Sequence, residues 1–173
     1  MRKLITLLLV CFVFLFGCKN PKESEDIDAV EQTRSASINE KDIAQLKYTD
    51  YILDQKAENL IKKSGEYTQL QDLKNNIKKG DLSLFGEDNE TSKELFKNLR
   101  QTLPSELNTE SVLARILVLE TSFYKLESLS NLPTTTKAER LNAIKGFLVA
   151  FSNLNLQMNK KVEFDNRTIE KPE

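Results

Sequence analysis

Residues 109–133, TESVLARILVLETSFYKLESLSNLP, place Val112, Ile116, Leu119, Phe123 and Leu126 at alternating intervals of four and three. That is the spacing of one face of an α-helix. Leu113, Leu117, Tyr124 and Leu129 flank the stripe, and so wide an apolar arc predicts a central helix packed by more than one neighbour. Leu132-Pro133 stops it, because proline cannot continue the backbone hydrogen-bond ladder.

Toward the C-terminus, Thr136-Lys137-Ala138-Glu139 reads as a capping box, followed by a stripe of Leu141, Ile144, Leu148, Phe151, Leu154 and Met158. Gly146 sits inside that helix and reads as a point of close packing against a neighbour. Polarity returns at Lys160, so residues 161–173 are expected to form a polar tail. Toward the N-terminus, Thr91-Ser92-Lys93-Glu94 is a second capping box, ahead of Leu95, Phe96, Leu99 and Leu103, with Pro104 as the stop.

Asp81 to Asn89 reads as a loop or short turn whose Leu82, Leu84 and Phe85 plug the bundle end. Before it, Tyr67, Leu70, Leu73 and Ile77 mark a helix that closes on Lys78-Lys79-Gly80. A first helix is expected from Asn39, with Asp42 three residues on, through Ile43, Leu46, Ile52, Leu53, Ala57, Leu60 and Ile61 to Lys63 or Ser64. Together these signals predict an all-α fold, a small up-and-down bundle of about five helices over residues 39–160. Residues 18–38, with Pro21, several charges and few apolar positions, are expected to be a disordered N-terminal tether.

The chain opens with Arg2 and Lys3, then an apolar run from Leu4 to Phe16, shorter than the roughly 20 residues a spanning helix needs. It reads as a signal peptide, residues 1–17. Leu15-Phe16-Gly17-Cys18 resembles a bacterial lipoprotein signal, in which a Leu lies three residues before the Cys and a Gly or Ala directly before it. Phe16 is larger than the usual residue at its position, as is common in spirochaetal signals. Cys11 lies within the apolar core and is discarded with it. The resemblance implies that Cys18 carries diacylglycerol and an amide-linked acyl chain, anchoring the protein to a membrane, since multiple chains give stable attachment.

Composition excludes several kinds of chemistry. The sequence holds 25 basic and 26 acidic side chains, and removal of Arg2 and Lys3 leaves 23 basic, so no basic excess points to a nucleic acid. There is no His, which closes the Ser-His-Asp and Cys-His arrangements and imidazole metal ligation. Beyond the signal, Cys18 is the sole cysteine, so no disulfide or thiolate metal site is expected. No cofactor, metal or catalytic residue is assigned, and the chain is expected not to be an enzyme.

The remaining clusters have bland explanations. Glu23, Glu25, Asp26 and Asp28, and Glu87, Asp88 and Glu90, are carboxylates in polar segments that read as solvated; the second group lacks the ligand spacing and central Gly of an EF-hand loop. Asn89-Glu90-Thr91 and Asn166-Arg167-Thr168 match the glycosylation acceptor by chance. Gly80 and Gly86 do not make a phosphate loop. Tyr48, Tyr51 and Tyr124 suit either the edge of the core or a protein contact. Lys56, Lys62, Lys63, Lys74, Lys78 and Lys79 suit a solvated face or an anionic glycan.

A lipidated Cys18, a polar tether and a small helical body together resemble the surface lipoproteins of Borrelia-type spirochaetes. The resemblance implies an outer-membrane location on the cell surface. It further implies a non-enzymatic binding module for host ligands such as complement regulators, extracellular-matrix proteins or glycosaminoglycans. The alternative expectation is a periplasm-facing structural or assembly lipoprotein of the cell envelope.

Overall fold

The computed structural model of the protein describes residues 37–86 and 89–167. They form six α-helices and one 3-10 turn: α1 (Glu40–Ala44), α2 (Gln55–Ile61), α3 (Gly65–Lys78), the turn Ser83–Gly86, α4 (Asn89–Thr102), α5 (Glu110–Asn131) and α6 (Lys137–Asp165). Among the described residues there is no strand. The fold is the expected small helical bundle, with α5 and α6 as a long hairpin against which the other elements pack.

Local chemistry sets the helix starts. Asn39, Asp54, Ser64, Thr109 and Thr136 each turn a side-chain oxygen onto a free N–H of the first turn. At Asn39 and Thr136 the box is reciprocal, because Asp42 and Glu139 bond back to the cap backbone N–H at 3.0 and 2.8 Å. Lys137 pairs with Asp42 at 2.8 Å, tying the start of α6 to α1. The Lys137 ammonium, and then the Asn39 N–H, hold the Asp42 carboxyl below the usual carboxylate range.

The C-terminus of α3 closes as a Schellman motif, with Asp81 N–H donating to the Asn76 carbonyl (3.0 Å) and Gly80 N–H to that of Ile77 (2.9 Å). Gly80 has φ +87°, and a Cβ there would lie 2.9 Å from the Ile38 carbonyl oxygen. Gly146 is different: it is exposed, and a Cβ would meet nothing within 4 Å. The close packing expected at Gly146 is therefore absent, because the residue faces away from every neighbour. The two glycines should respond in opposite directions. Gly146→Ala should stabilise the fold by about 0.5–1 kcal/mol, through helix propensity alone. Gly80→Ala should destabilise it by about 2 kcal/mol, from left-handed backbone strain plus the clash with Ile38. Urea denaturation of both variants checks this, and equal responses would refute the assignment.

The core is built on a chain of aromatic rings. Phe85 from the 3-10 turn lies 5.3 Å from Phe123 of α5, Phe96 of α4 lies 5.5 Å from it, and Phe147 of α6 lies 6.2 Å from it. Phe151 continues the chain from Phe147 and meets Tyr67 of α3 at 5.8 Å. The expected plug is thus present, with Phe85 buried and Leu82 and Leu84 partly buried against the core.

Several boundaries differ from expectation. Ile38, placed in the tether, packs partly buried against the core. α4 begins at Asn89, so Thr91 to Glu94 lie inside its first turns rather than capping it. α6 runs to Asp165 with Val162 buried, because one apolar position per turn is enough to keep the helix on the bundle. The largest difference is that the single helix expected from Asn39 to Lys63 is two short helices, α1 and α2, separated by an extended segment.

Candidate binding surface

The segment between α1 and α2 is held as a strap across α6, and side chains of α6 replace the partners a neighbouring strand would supply. Ser152 Oγ accepts from Tyr51 N–H and donates to the Thr49 carbonyl, both at 2.7 Å. Asn155 Nδ2 donates to the Tyr51 carbonyl at 2.9 Å. Asn159 Nδ2 donates to the Ile52 carbonyl at 2.8 Å, and its Oδ1 accepts from Asp54 N–H at 2.9 Å. Spacings of three and four put Ser152, Asn155 and Asn159 on one helical row, under the strap. Asn155 Oδ1 also accepts from the Tyr67 hydroxyl at 2.7 Å, which links the strap to α3.

Asp54 ends the strap by capping α2, accepting from Ala57 N–H at 2.8 Å. A strap explains the broken helix in physical terms: its backbone groups find partners on α6, and a fresh N-cap restarts the helical ladder. The apolar pattern survives the break. Ile43, Ala57 and Ile61 are buried, Leu46, Leu53 and Leu60 pack on the core, and Ile52 alone turns outward at 77% exposure.

Beside Ile52, Tyr51 is 40% exposed. Their backbone is fixed at both carbonyls, so an aromatic and an aliphatic side chain are displayed on a pinned support. Such preorganised apolar groups lose little freedom on binding, which suits a protein contact. At the other side of the strap, Tyr48 is half-buried with its hydroxyl 3.4 Å from Asp50, and Asp50 pairs with Lys78 at 3.0 Å. Burial, reinforced by the Asp50 charge, pushes the Tyr48 phenol up, and the Asp50 carboxylate holds the Lys78 ammonium up as well. Tyr48 therefore meets a ligand as the phenol and Lys78 as the ammonium, and with Asp50 between them they make a hydrogen-bonding set. They line a groove of about 340 Å³ with Ile43 and Leu46, and a second groove of about 520 Å³ opens where α2 meets the end of α6, between Lys56 and Arg167.

The other sequence candidates separate. Of the six lysines, Lys74 is half-buried with its ammonium 4.8 Å from the Phe151 ring centre, and burial lowers its pKa. Lys78 is taken by Asp50, while Lys56, Lys62, Lys63 and Lys79 are exposed, so the basic set is not one continuous free face. Tyr124 is half-buried, edge-on to Phe96 and Phe123. Asn166 closes α6 by donating to the Val162 carbonyl at 2.6 Å, and Asn89 begins α4. Cys18, the carboxylates at Glu23, Glu25, Asp26 and Asp28, and Glu87 and Asp88 lie outside the described residues. Among the described residues no three acidic, Cys or His side chains gather as a metal set would, and no helix is long and apolar enough to cross a membrane.

The strap was not visible as a surface in the sequence, although two signals for it exist. Asp54 is a good N-cap residue in the middle of the supposed helix, and Tyr48, Thr49, Tyr51 and Ile52 all favour extended backbone. The chain matches no family model, no curated protein and no solved structure.

Proposed function

We propose that this chain is a lipid-anchored protein of the outer membrane, displayed on the cell surface as a non-enzymatic binding module for host proteins, either complement or extracellular-matrix components. The observation that carries the reading is Leu15-Phe16-Gly17-Cys18 behind Arg2, Lys3 and a short apolar run. Cys18 is the anchor. The Tyr51-Ile52 pair supports the binding role, since an exposed tyrosine on a pinned backbone is of the type enriched among the residues that carry interface energy.

The address is tested by metabolic labelling with a palmitate analogue in the source bacterium. Wild-type chain should take up label and enter the detergent phase, and Cys18→Ala should do neither; labelling that survives the substitution overturns the anchor. Proteinase K on intact cells should degrade the protein. Survival there, with loss after membrane disruption, replaces the surface reading with a periplasm-facing envelope role. The binding role is tested with the soluble fragment Lys19 to Glu173 on a panel of serum proteins, matrix proteins and glycosaminoglycans. Saturable binding that falls at least tenfold in Tyr51→Ala/Ile52→Ala supports the strap as the contact, a loss of about 1.4 kcal/mol or more. Absence of binding to every ligand on the panel rejects the host-binding role.

A further inference from the structure

The outward face of α5 carries an apolar patch at its middle, where a surface helix is normally polar. Leu117 is 58% exposed and Val118 50% exposed, and Ala114 and Thr121, one turn to either side, are exposed too. At 100° per residue these four, with Glu110, Lys125 and Ser128, fall within an arc of about 100°. All seven are exposed, while the opposite face of α5, Val112, Ile116, Leu119, Phe123 and Leu126, is fully buried. The helix therefore carries, opposite its buried stripe, a short apolar patch of Ala114, Leu117 and Val118 with polar residues at both ends.

The charges at the ends of the outward stripe say what fits it. Glu110 lies as far before the midpoint between Leu117 and Val118 as Lys125 lies after it, about 11 Å along the axis in each direction. Both are exposed, and among the described residues neither side chain has a hydrogen bond or ion pair. Turning the helix end for end about that midpoint exchanges the two positions. A second copy of α5 laid antiparallel on the first thus brings Leu117 and Val118 against each other at the centre. Ala114 then faces Thr121, small enough for the axes to approach closely, and Glu110 faces Lys125 at both ends. A parallel arrangement would instead set Glu110 against Glu110 and Lys125 against Lys125.

From this pattern we infer that the outward face of α5 is a self-association surface, through which two copies of the chain pair antiparallel about a two-fold axis at Leu117 and Val118. The contact is isologous, as closed dimers require. One helix face over about four turns is smaller than the roughly 1,600 Å² of a standard interface, so the dimer is weak and concentration-dependent. It does not depend on the membrane address or on what the strap binds.

Sedimentation equilibrium of the full chain in matched-density detergent, from low micromolar to near millimolar, tests the inference. Wild type should show a monomer–dimer equilibrium. Leu117→Lys, at an exposed position, should abolish it without changing the helical circular dichroism. Glu110→Lys should weaken it roughly tenfold by putting lysine against Lys125 twice, and adding Lys125→Glu should restore it. A wild-type chain that stays monomeric throughout overturns the inference. A dimer indifferent to Leu117→Lys, or a double charge exchange that fails to rescue, overturns it equally.

Discussion

Asn155→Ala should lower the unfolding free energy by about 2–4 kcal/mol, far more than a surface asparagine on a long helix would suggest. The residue is 3% exposed and serves two elements at once, the Tyr51 carbonyl of the strap and the Tyr67 hydroxyl of α3. Truncation leaves both without their partner, the Tyr67 hydroxyl in a buried site and the Tyr51 carbonyl in a part-buried one, and a buried unsatisfied group costs roughly 1–3 kcal/mol. Gln71, close to the Tyr67 hydroxyl, recovers part of one of them. Asn159→Ala is the matched control, because its bonds to Ile52 and Asp54 are exposed and water replaces them, for a loss below about 1 kcal/mol. Combining Asn155→Ala with Tyr67→Phe removes the orphaned hydroxyl, so the double variant should lose less than the sum of the singles. The strap should loosen first: trypsin should cut after exposed Lys47 faster in Asn155→Ala than in wild type under native conditions. Equal losses from Asn155→Ala and Asn159→Ala would remove Asn155 from this role.

The strap marks the boundary of what the sequence disclosed. Periodic apolar residues reveal helices wherever the helix itself carries the pattern, which is why α3, α5 and α6 lie where the spacing puts them. Between Ile43 and Ile61 the apolar residues keep nearly helical spacing across a break, because both short helices and the strap must all face the same core. Spacing alone cannot distinguish that from one continuous helix. The compensating signal sits more than ninety residues away. Ser152, Asn155 and Asn159 read as a solvated polar row, since nothing in a sequence says that a polar row faces another segment's backbone rather than water.

Caps were legible only where an acidic residue completed the box, as at Asn39 and Thr136. Asp54, Ser64 and Thr109 cap without that partner and carry a weaker signature, while Thr91 with Glu94 has the signature inside a helix that had already begun at Asn89. Gly146 shows the same limit from the other side. A glycine in a helix is consistent with a close neighbour or with none, and only the surroundings decide. For the candidate surface, tyrosine content pointed to the right residue type, but the exposure of Tyr51 and Ile52 follows from the strap, so it was hidden with it.

Phe123→Ala should be the most damaging single change in the chain, with a loss of about 4 kcal/mol. Phe123 is 1% exposed and its ring meets Phe85, Phe96, Tyr124 and Phe147, so it is the point at which the 3-10 turn, α4, α5 and α6 join. Buried Phe→Ala changes cost roughly 3–5 kcal/mol from lost transfer energy and residual cavity, and edge-on ring contacts add to what area alone gives. Collapse into the cavity is hindered because its walls are themselves rings held from four directions. Against a total stability of about 5–15 kcal/mol, such a loss should lower Tm by roughly 10–20 °C. Phe123→Leu keeps most of the volume and should lose only about 1–1.5 kcal/mol. Phe164→Ala, at a ring that is 70% exposed, should stay within about 0.5 kcal/mol of wild type. Calorimetry ranks the three, and a loss below about 1.5 kcal/mol for Phe123→Ala would mean that the four elements do not share one core. A full-sized loss with coincident near- and far-ultraviolet transitions would show that the plug and the α5–α6 hairpin unfold as a single cooperative unit, because Phe123 is the hairpin ring that Phe85 meets.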